Sequence, residues 1–195
     1  MLVVLARHAH SQLNLEHRIN GDPSVPVHVT DGGKEEARAL GLQLANVPIA
    51  LCVHTRFPRT QETAHLALAG RDVPVEVEPL LDDIDVGELE GETVDEYHAW
   101  KAKHARSDPF PGGESLDDAA RRYAQAFRKL AARDAASVLV VCHEIPVRYA
   151  LNAAAGSDSF DGPVREIANA SPFLFDERSL LGAADGIDRL LSSAG

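Results

Sequence analysis

Short apolar runs alternate along the chain with longer segments in which apolar residues recur at helical spacing. Runs of about four to eight apolar residues, rich in Val and Leu and bounded by polar residues, are typical of strands buried inside a sheet. Such runs predict strands at Leu2–Ala6, Ile49–His54, Val73–Val77, Ser137–Cys142 and Pro172–Phe175. Ser137–Cys142 has the clearest pattern of a buried strand, whereas we expect Val73–Val77 to lie nearer an edge of the sheet.

Capping residues and helical spacing predict the helices between these strands. Thr30 or Asp31 can cap a helix that reaches about Ala45, and Pro58 suits the first turn of a helix that ends near Ala69. Further helices are expected at Thr93–His104, from a capping box at Ser115 and Asp118 to about Arg133, at Glu144–Ala155 and in the tail. We interpret Ser11–His28 and residues 107–115 as loops.

The alternation of strands and helices predicts the fold class. Strands separated by helices are typical of an α/β fold with a mainly parallel sheet between two helical layers. We therefore expect a single three-layer α/β/α domain over residues 1–195. The segment from about 80 to 115 has no clear strand, and we interpret it as a small inserted helical lid near the active rim.

Composition and charge narrow the functional classes. The chain has 195 residues, and 30 acidic against 19 basic side chains give a net charge of −11. Because a surface that binds nucleic acid or an anionic membrane needs a basic excess, we expect neither partner. The sequence contains no run of about 18 apolar residues, the length that a helix needs to cross a bilayer. The N-terminus lacks the basic region of a signal peptide. Two cysteines, Cys52 and Cys142, make a disulfide framework unexpected and favour a cytoplasmic location, while a homodimer stays open.

Polar residues follow each predicted strand at its carboxyl end, where open α/β sheets bind their ligands. In chain order they are Arg7, His8 and His10; His54, Thr55, Arg56 and Arg59; Asp82, Asp83 and Asp85; and His143 and Glu144. If the strands are parallel, these side chains meet at one rim. Histidines, arginines and a carboxylate in one place indicate an anion site that can also transfer protons.

Phosphoryl transfer is the chemistry that this set of residue types suits best. Arginine forks match the geometry of phosphate oxygens, and a neutral imidazole can attack phosphorus to form a covalent intermediate. A nearby carboxylic acid can protonate the leaving oxygen. Because the arginines and imidazoles can neutralise the developing charge, we expect neither a metal nor another cofactor.

Several blocks of sequence together carry a resemblance to a known family. ARHAHSQLN (6–14) resembles an Arg-His-Gly-x-Thr-x-x-Asn signature. HTRFPRTQETA (54–64) is similar to a Ser-Ser-x-Leu-x-Arg-Ala-x-x-Thr-Ala block. LLDDIDVGELEG (80–91) and VVCHEIPV (140–147) are similar to blocks around an acid and a second histidine. In this order the blocks resemble the histidine phosphatase superfamily, the phosphoglycerate mutase-like proteins.

The resemblance implies a role for each matching residue. His8 would be the nucleophile that carries a phosphohistidine, and Asp83 would protonate the leaving oxygen and then activate water. The phosphoryl oxygens would be held by Arg7, Asn14, Arg59 and His143. Because this acid is Glu in much of the family, Asp85 and Glu88 remain alternatives to Asp83.

Glu144 is the departure from the family pattern that matters most, because it replaces the Gly that usually follows the second histidine. If this carboxylate faces His143, it would raise the pKa of the imidazole. If it faces the pocket, it would oppose phosphate binding and narrow the range of substrates.

The function expected from these residues is hydrolysis of a phosphate monoester of a small metabolite through a phosphohistidine on His8, without metal. Mutase activity is the first alternative, although the chain is short for that branch of the family. A second alternative is a catalytically weak member that binds a phosphorylated ligand without turnover.

Two other chemistries are less favoured. His8, His10, Asp83 and His143 could ligate a divalent metal in a hydrolase, but two arginines at the same site would repel a cation. Cys142 and Arg148 have the spacing of cysteine-based phosphatases, but Pro146 removes a backbone donor that such a loop needs. We interpret Cys142 as part of a buried strand.

Overall fold

Five strands form the centre of the protein in a computed structural model that describes residues 1–193. They are β1 (Leu2–Arg7), β2 (Leu51–His54), β3 (Val75–Val77), β4 (Ser137–Cys142) and β5 (Pro172–Asp176). The strand order is β3-β2-β4-β1-β5, in which β1 to β4 run parallel and β5 runs antiparallel to β1. The prediction of a mainly parallel sheet is therefore confirmed.

The helices follow the strands in the expected alternation. They are α1 (Gln12–Leu15), α2 (Asp31–Gln43), α3 (Pro58–Ala67), α4 (Val94–Lys101), α5 (Leu116–Ala131), α6 (Glu144–Ala154) and α7 (Glu177–Ser193). The predicted start signals are confirmed, since the Thr30 hydroxyl accepts from the amide of Gly33 and Ser115 and Asp118 form a reciprocal capping box. None of the helices in the described residues has the length and apolar character needed to cross a membrane.

The two faces of the sheet bury different helices. Successive side chains of a strand point to opposite faces. Val3 and Leu5 of β1 are buried in the cluster that α5, α6 and α7 complete, whereas Val4 and Ala6 pack in the cluster formed with α2 and α3. The expected three-layer α/β/α arrangement in one domain is thus confirmed.

The structure departs from the sequence pattern mainly at loops and edges. Within the segment predicted as a loop, Ser11 and Asn14 form a capping box that begins the short helix α1. The strand predicted from Ile49 begins at Leu51. The strand predicted from Val73 begins at Val75, so β3 is only three residues long; it lies at the edge of the sheet, as predicted, and pairs with β2 alone.

The segment between β3 and α5 contains α4 and two short 3-10 turns, at Pro79–Leu81 and Gly87–Leu89, and no strand. Its aromatic residues pack together, with the ring centroids of Trp100 and Phe110 4.2 Å apart. Gly87 has φ +53°, and a Cβ built on it would lie 2.1 Å from the carbonyl oxygen of Pro111. This glycine therefore allows the two halves of the segment to approach closely.

Replacing Gly87 with Ala tests this close approach. We expect Gly87→Ala to lower the free energy of unfolding by about 2–4 kcal/mol, because positive φ and a clash with backbone combine. Gly70 is the matched control: its φ is +79°, but nothing lies within 4 Å of a built Cβ. Gly70→Ala should cost only about 1 kcal/mol. Urea denaturation of both variants measures the difference, and equal losses would contradict the proposed clash.

Candidate active site

The ends of three adjacent strands bring the predicted site residues together. Arg7 at the end of β1 pairs with Cys142 of β4, and His54 of β2 pairs with Val141 of β4. His8, Thr55 and His143 therefore leave neighbouring strands at the same edge of the sheet. A cavity of about 190 Å³ opens there. The candidate residues that line it are Arg7, His8, Asn14, Arg59, Asp83 and Glu144.

His8 is buried, with 3% of its surface exposed. Its Nδ1 lies 2.8 Å from the carbonyl oxygen of Ala9, while Nε2 lies 3.1 Å from Nε of Arg59, which can only donate. The network therefore assigns the hydrogen to Nδ1 and the lone pair to Nε2. Burial, with Arg59 and Arg7 nearby, holds the pKa of His8 well below its usual range. A neutral imidazole whose lone pair is on Nε2 can act as a nucleophile.

The backbone around His8 is held by residues distant in sequence. The side-chain amide of Asn169 donates to the His8 carbonyl oxygen at 2.8 Å. The amide of Ala9 donates to the Thr63 hydroxyl at 3.0 Å. These contacts fix the turn after β1 and with it the direction of the His8 ring.

Arg59 lies in the first turn of α3, directly after Pro58, and only 3% of it is exposed. Besides the contact to His8, its Nη2 lies 3.1 Å from both Asp83 Oδ2 and His143 Nδ1. One guanidinium thus contacts both imidazoles and the carboxylate of the site.

Asn20 positions Arg59 from the loop after α1. Its side-chain oxygen accepts from Nη1 of Arg59, and its backbone carbonyl accepts from Nη2 at 3.1 Å. Glu90 in turn accepts from the Asn20 amide at 2.7 Å and from the Gly21 backbone at 2.6 Å. Sequence reasoning missed both Asn20 and Glu90. No pattern in the sequence marks these two residues; Gly21, next to Asn20, allows the loop to pack closely, since a Cβ there would lie 2.0 Å from the Ile84 carbonyl oxygen.

Asp83 places one carboxylate oxygen 3.1 Å from Arg59 and 3.3 Å from Nδ1 of His143. Burial raises the pKa of Asp83 and outweighs the opposite effect of Arg59. A carboxyl group with a raised pKa can hold a proton for a leaving group. Arg122 of α5 fixes the backbone here, donating to the carbonyl oxygens of Asp82 at 2.6 Å and Asp83 at 2.8 Å.

The two alternative acids lie outside this cavity. Asp85 is exposed, and its carboxylate accepts from the backbone amide of Gly87 at 3.0 Å. Glu88 follows Gly87 in the second 3-10 turn and does not line the cavity. Of the three acids, Asp83 is the one that the structure brings to His8 and Arg59.

His143 is fully buried and lies behind the cavity rather than in its lining. Its Nε2 lies 2.9 Å from the Thr55 hydroxyl, which in turn lies 2.9 Å from the hydroxyl of Thr60. The Phe57 ring packs against the imidazole with centroids 4.6 Å apart. Burial and Arg59 hold the pKa of His143 well below its usual range. The other ring nitrogen, Nδ1, faces Arg59 at 3.1 Å and Asp83 at 3.3 Å.

Arg7 and Glu144 form an ion pair at the cavity wall. Nη1 of Arg7 lies 2.9 Å from Oε2 of Glu144 and donates to the Ile167 carbonyl oxygen at 2.6 Å. Its Nε is buried and has no hydrogen-bond partner within residues 1–193. That Nε–H is therefore an unsatisfied donor in a side chain that lines the cavity. Of the two orientations considered for Glu144, the structure has the one that faces the cavity.

Asn14 also turns its amide to the cavity. Its side-chain oxygen accepts from the Ser11 backbone at 3.1 Å, which leaves Nδ2 without a partner among the described residues. By contrast, His10 and Arg56 do not line the cavity; Arg56 pairs with Asp82 at 2.5 Å. His54 turns its Nδ1 to the Thr55 carbonyl oxygen at 2.7 Å.

Comparison with known protein families identifies the sequence pattern. The model of the histidine phosphatase superfamily (branch 1) matches residues 3–176. A 2,3-bisphosphoglycerate-dependent phosphoglycerate mutase 2 from Gloeobacter violaceus is 37% identical over 138 residues, which cover 65% of this chain and 61% of that protein. The human 6-phosphofructo-2-kinase/fructose-2,6-bisphosphatase 4 is 33% identical over 158 residues, covering 76% of this chain and 32% of the relative. The chain thus spans about three fifths, or less, of the length of these curated relatives.

A solved structure supports the fold. The α-ribazole phosphatase from Shigella flexneri superposes with a TM-score of 0.79, covering 90% of each chain at 22% sequence identity. At this level of identity the likeness concerns the arrangement of the strands and helices alone.

Proposed function

The chain belongs to the histidine phosphatase superfamily, and we propose that it hydrolyses the phosphate monoester of a small metabolite through a phosphohistidine on His8, without metal. The observation that carries this proposal is the position of His8 Nε2, which lies 3.1 Å from Nε of Arg59, a group that can only donate a hydrogen bond. The acid Asp83 lies on the same guanidinium, 3.1 Å from Nη2. Nucleophile, cation and acid thus share one small cavity.

In the first step, Nε2 of His8 attacks phosphorus, a P–N bond forms, and the ester P–O bond breaks. The leaving alkoxide takes the proton of the Asp83 carboxyl group, so that a neutral alcohol departs. Arg59, Nε of Arg7 and the Asn14 amide hold the phosphoryl oxygens as charge develops on them. These donors stabilise the negative charge on the phosphoryl oxygens, which a metal ion does in other hydrolases.

In the second step, water attacks the phosphohistidine. The Asp83 carboxylate accepts the proton of the water, the P–N bond breaks, and inorganic phosphate leaves with Nε2 again carrying its lone pair. Asp83 is protonated at the end of this step, as it was before the first. The cycle therefore returns the site to its starting state.

Mutase activity is the second candidate, and the name of the Gloeobacter violaceus relative favours it. A mutase returns the phosphoryl group to a second hydroxyl of the same substrate instead of giving it to water. Incubation with 3-phosphoglycerate distinguishes the two: a phosphatase releases inorganic phosphate or leaves the ester intact, whereas a mutase accumulates the isomeric ester.

The proposal also includes a cytoplasmic location, for which the free, buried Cys52 and Cys142 are the support.

Trapping the covalent intermediate tests the nucleophile. After brief incubation of the protein with a panel of labelled phosphomonoesters, a quench in alkaline denaturant should reveal a label on the protein that is labile to acid and stable to base. His8→Ala should carry no such label and should lose at least about a thousandfold in kcat, because the substitution removes the nucleophile. His10→Ala is the matched control, since His10 lies two residues away and outside the cavity, and it should keep the label. A label that persists in His8→Ala would remove His8 from this role.

Changing the leaving group tests the acid. An alkoxide needs a proton on departure, whereas p-nitrophenolate leaves unprotonated. Asp83→Asn should therefore lower kcat/KM by about a hundredfold or more for an alkyl phosphate and far less for p-nitrophenyl phosphate. Losses of equal size for both esters, or an unchanged kcat, would mean that Asp83 does not supply the proton.

A further inference from the structure

Glu144 places a carboxylate in the wall of the active-site cavity, next in sequence to His143 and beside Arg7. It is the first residue of α6, and 30% of its side chain is exposed. Its Oε2 lies 2.9 Å from Nη1 of Arg7, and its Oε1 lies 3.5 Å from Nη1 of Arg148. The mechanism proposed above does not use this carboxylate.

Both cations of this wall are ion-paired with Glu144. Arg7 keeps Nε for the phosphoryl group, but its Nη1 is shared between Glu144 and the Ile167 carbonyl oxygen. Arg148 is held by Glu144 and, at 3.2 Å, by Asp161. A second anionic group close to the ester would therefore meet a carboxylate here instead of an unpaired cation.

The same carboxylate has capacity for a hydrogen-bond donor. An ionised carboxylate accepts at both oxygens, and no residue in the described part of the chain donates a hydrogen bond to Oε1 of Glu144. A hydroxyl or ammonium group of the leaving group could donate to this oxygen. Glu144 therefore attracts donors and repels anions at one position.

We propose that Glu144 determines specificity, selecting leaving groups with a hydroxyl or ammonium group near the ester and rejecting those with a second anion there. The proposal rests on the proposed phosphatase function and names its substrate class. Phosphomonoesters of polyols or amino alcohols belong to that class, whereas phosphoglycerates and vicinal bisphosphates do not.

Lys101 on α4 is a cation in the cavity lining that could work against this selection. It lines the cavity without a carboxylate within 4 Å among the described residues, and its Nζ lies 5.3 Å from the Tyr97 ring centroid. If substrate anions are captured by this ammonium group, the protein will prefer anionic leaving groups. The experiment therefore includes a variant of Lys101.

Two nearly isosteric esters test the proposal, because glycerol 3-phosphate carries a CH₂OH group where 3-phosphoglycerate carries a carboxylate. We expect kcat/KM to favour glycerol 3-phosphate in the unaltered protein. Glu144→Gln keeps the size of the side chain and removes its charge, so it should reduce this preference by about tenfold or more. Asp161→Asn is the matched control, since it also removes a carboxylate from Arg148 but lies outside the cavity, and it should leave the preference within about twofold.

Affinity measurements separate this proposal from the proposed activity. His8→Asn lacks the nucleophile, so its binding of esters can be measured without turnover. Calorimetric titration with the two esters gives the ratio of their affinities in His8→Asn and in the double variant that also carries Glu144→Gln. Absence of hydrolysis of every ester would overturn the phosphatase proposal while the affinity ratio still tests Glu144. The inference on Glu144 is overturned if Glu144→Gln does not improve relative binding of 3-phosphoglycerate, or if the protein prefers that ester and Lys101→Gln abolishes the preference.

Discussion

The burial of one guanidinium, that of Arg59, is the constraint on which the rest of the site depends. A cation with 3% of its surface exposed must find partners inside the protein. Here those partners are Asn20, His8, His143 and Asp83, each within hydrogen-bond distance. Burial and this cation together hold the pKa of both imidazoles well below its usual range, and the cation orients the lone pair of His8. A phosphoryl group bound beside it would add negative charge near Asp83, which favours the protonated carboxyl group.

The fold supplies this arrangement through the register of three parallel strands and through two clamps from outside the sheet. His8, Thr55 and His143 follow adjacent strand ends, so the strand register brings them to neighbouring positions. Asp83 lies on an irregular segment, and Arg122 fixes it by donating to its carbonyl oxygen. Glu90 fixes the Asn20 loop from the other side. Rigid elements thus carry the imidazoles, while buried polar contacts hold the acid and the loop.

The sheet and the strand-end residues could be predicted from sequence because they follow local patterns and one topological rule. Apolar runs identify β1 and β4, and the carboxyl ends of parallel strands share one edge of the sheet. Asn20, Glu90 and Arg122 could not be predicted in this way, since each acts through a contact between segments far apart in sequence. No periodicity or spacing encodes such contacts. The pattern also left open where Glu144 points. The extended backbone of His143 (φ −116°, ψ 174°) sends successive side chains in different directions, so His143 turns inward while Glu144 lines the cavity.

The central claim is that the buried Arg59 network keeps His8 neutral with its lone pair on Nε2. Nitrogen-15 NMR of histidine-labelled protein, with His8→Ala to assign the resonances, measures this directly. An ordinary histidine, with a pKa of about 6.5, titrates between pH 5.5 and 7. Across this range His8 should keep the chemical shifts of the neutral tautomer with hydrogen on Nδ1. Shifts of an imidazolium at pH 5.5, or of the tautomer with hydrogen on Nε2, would contradict the account.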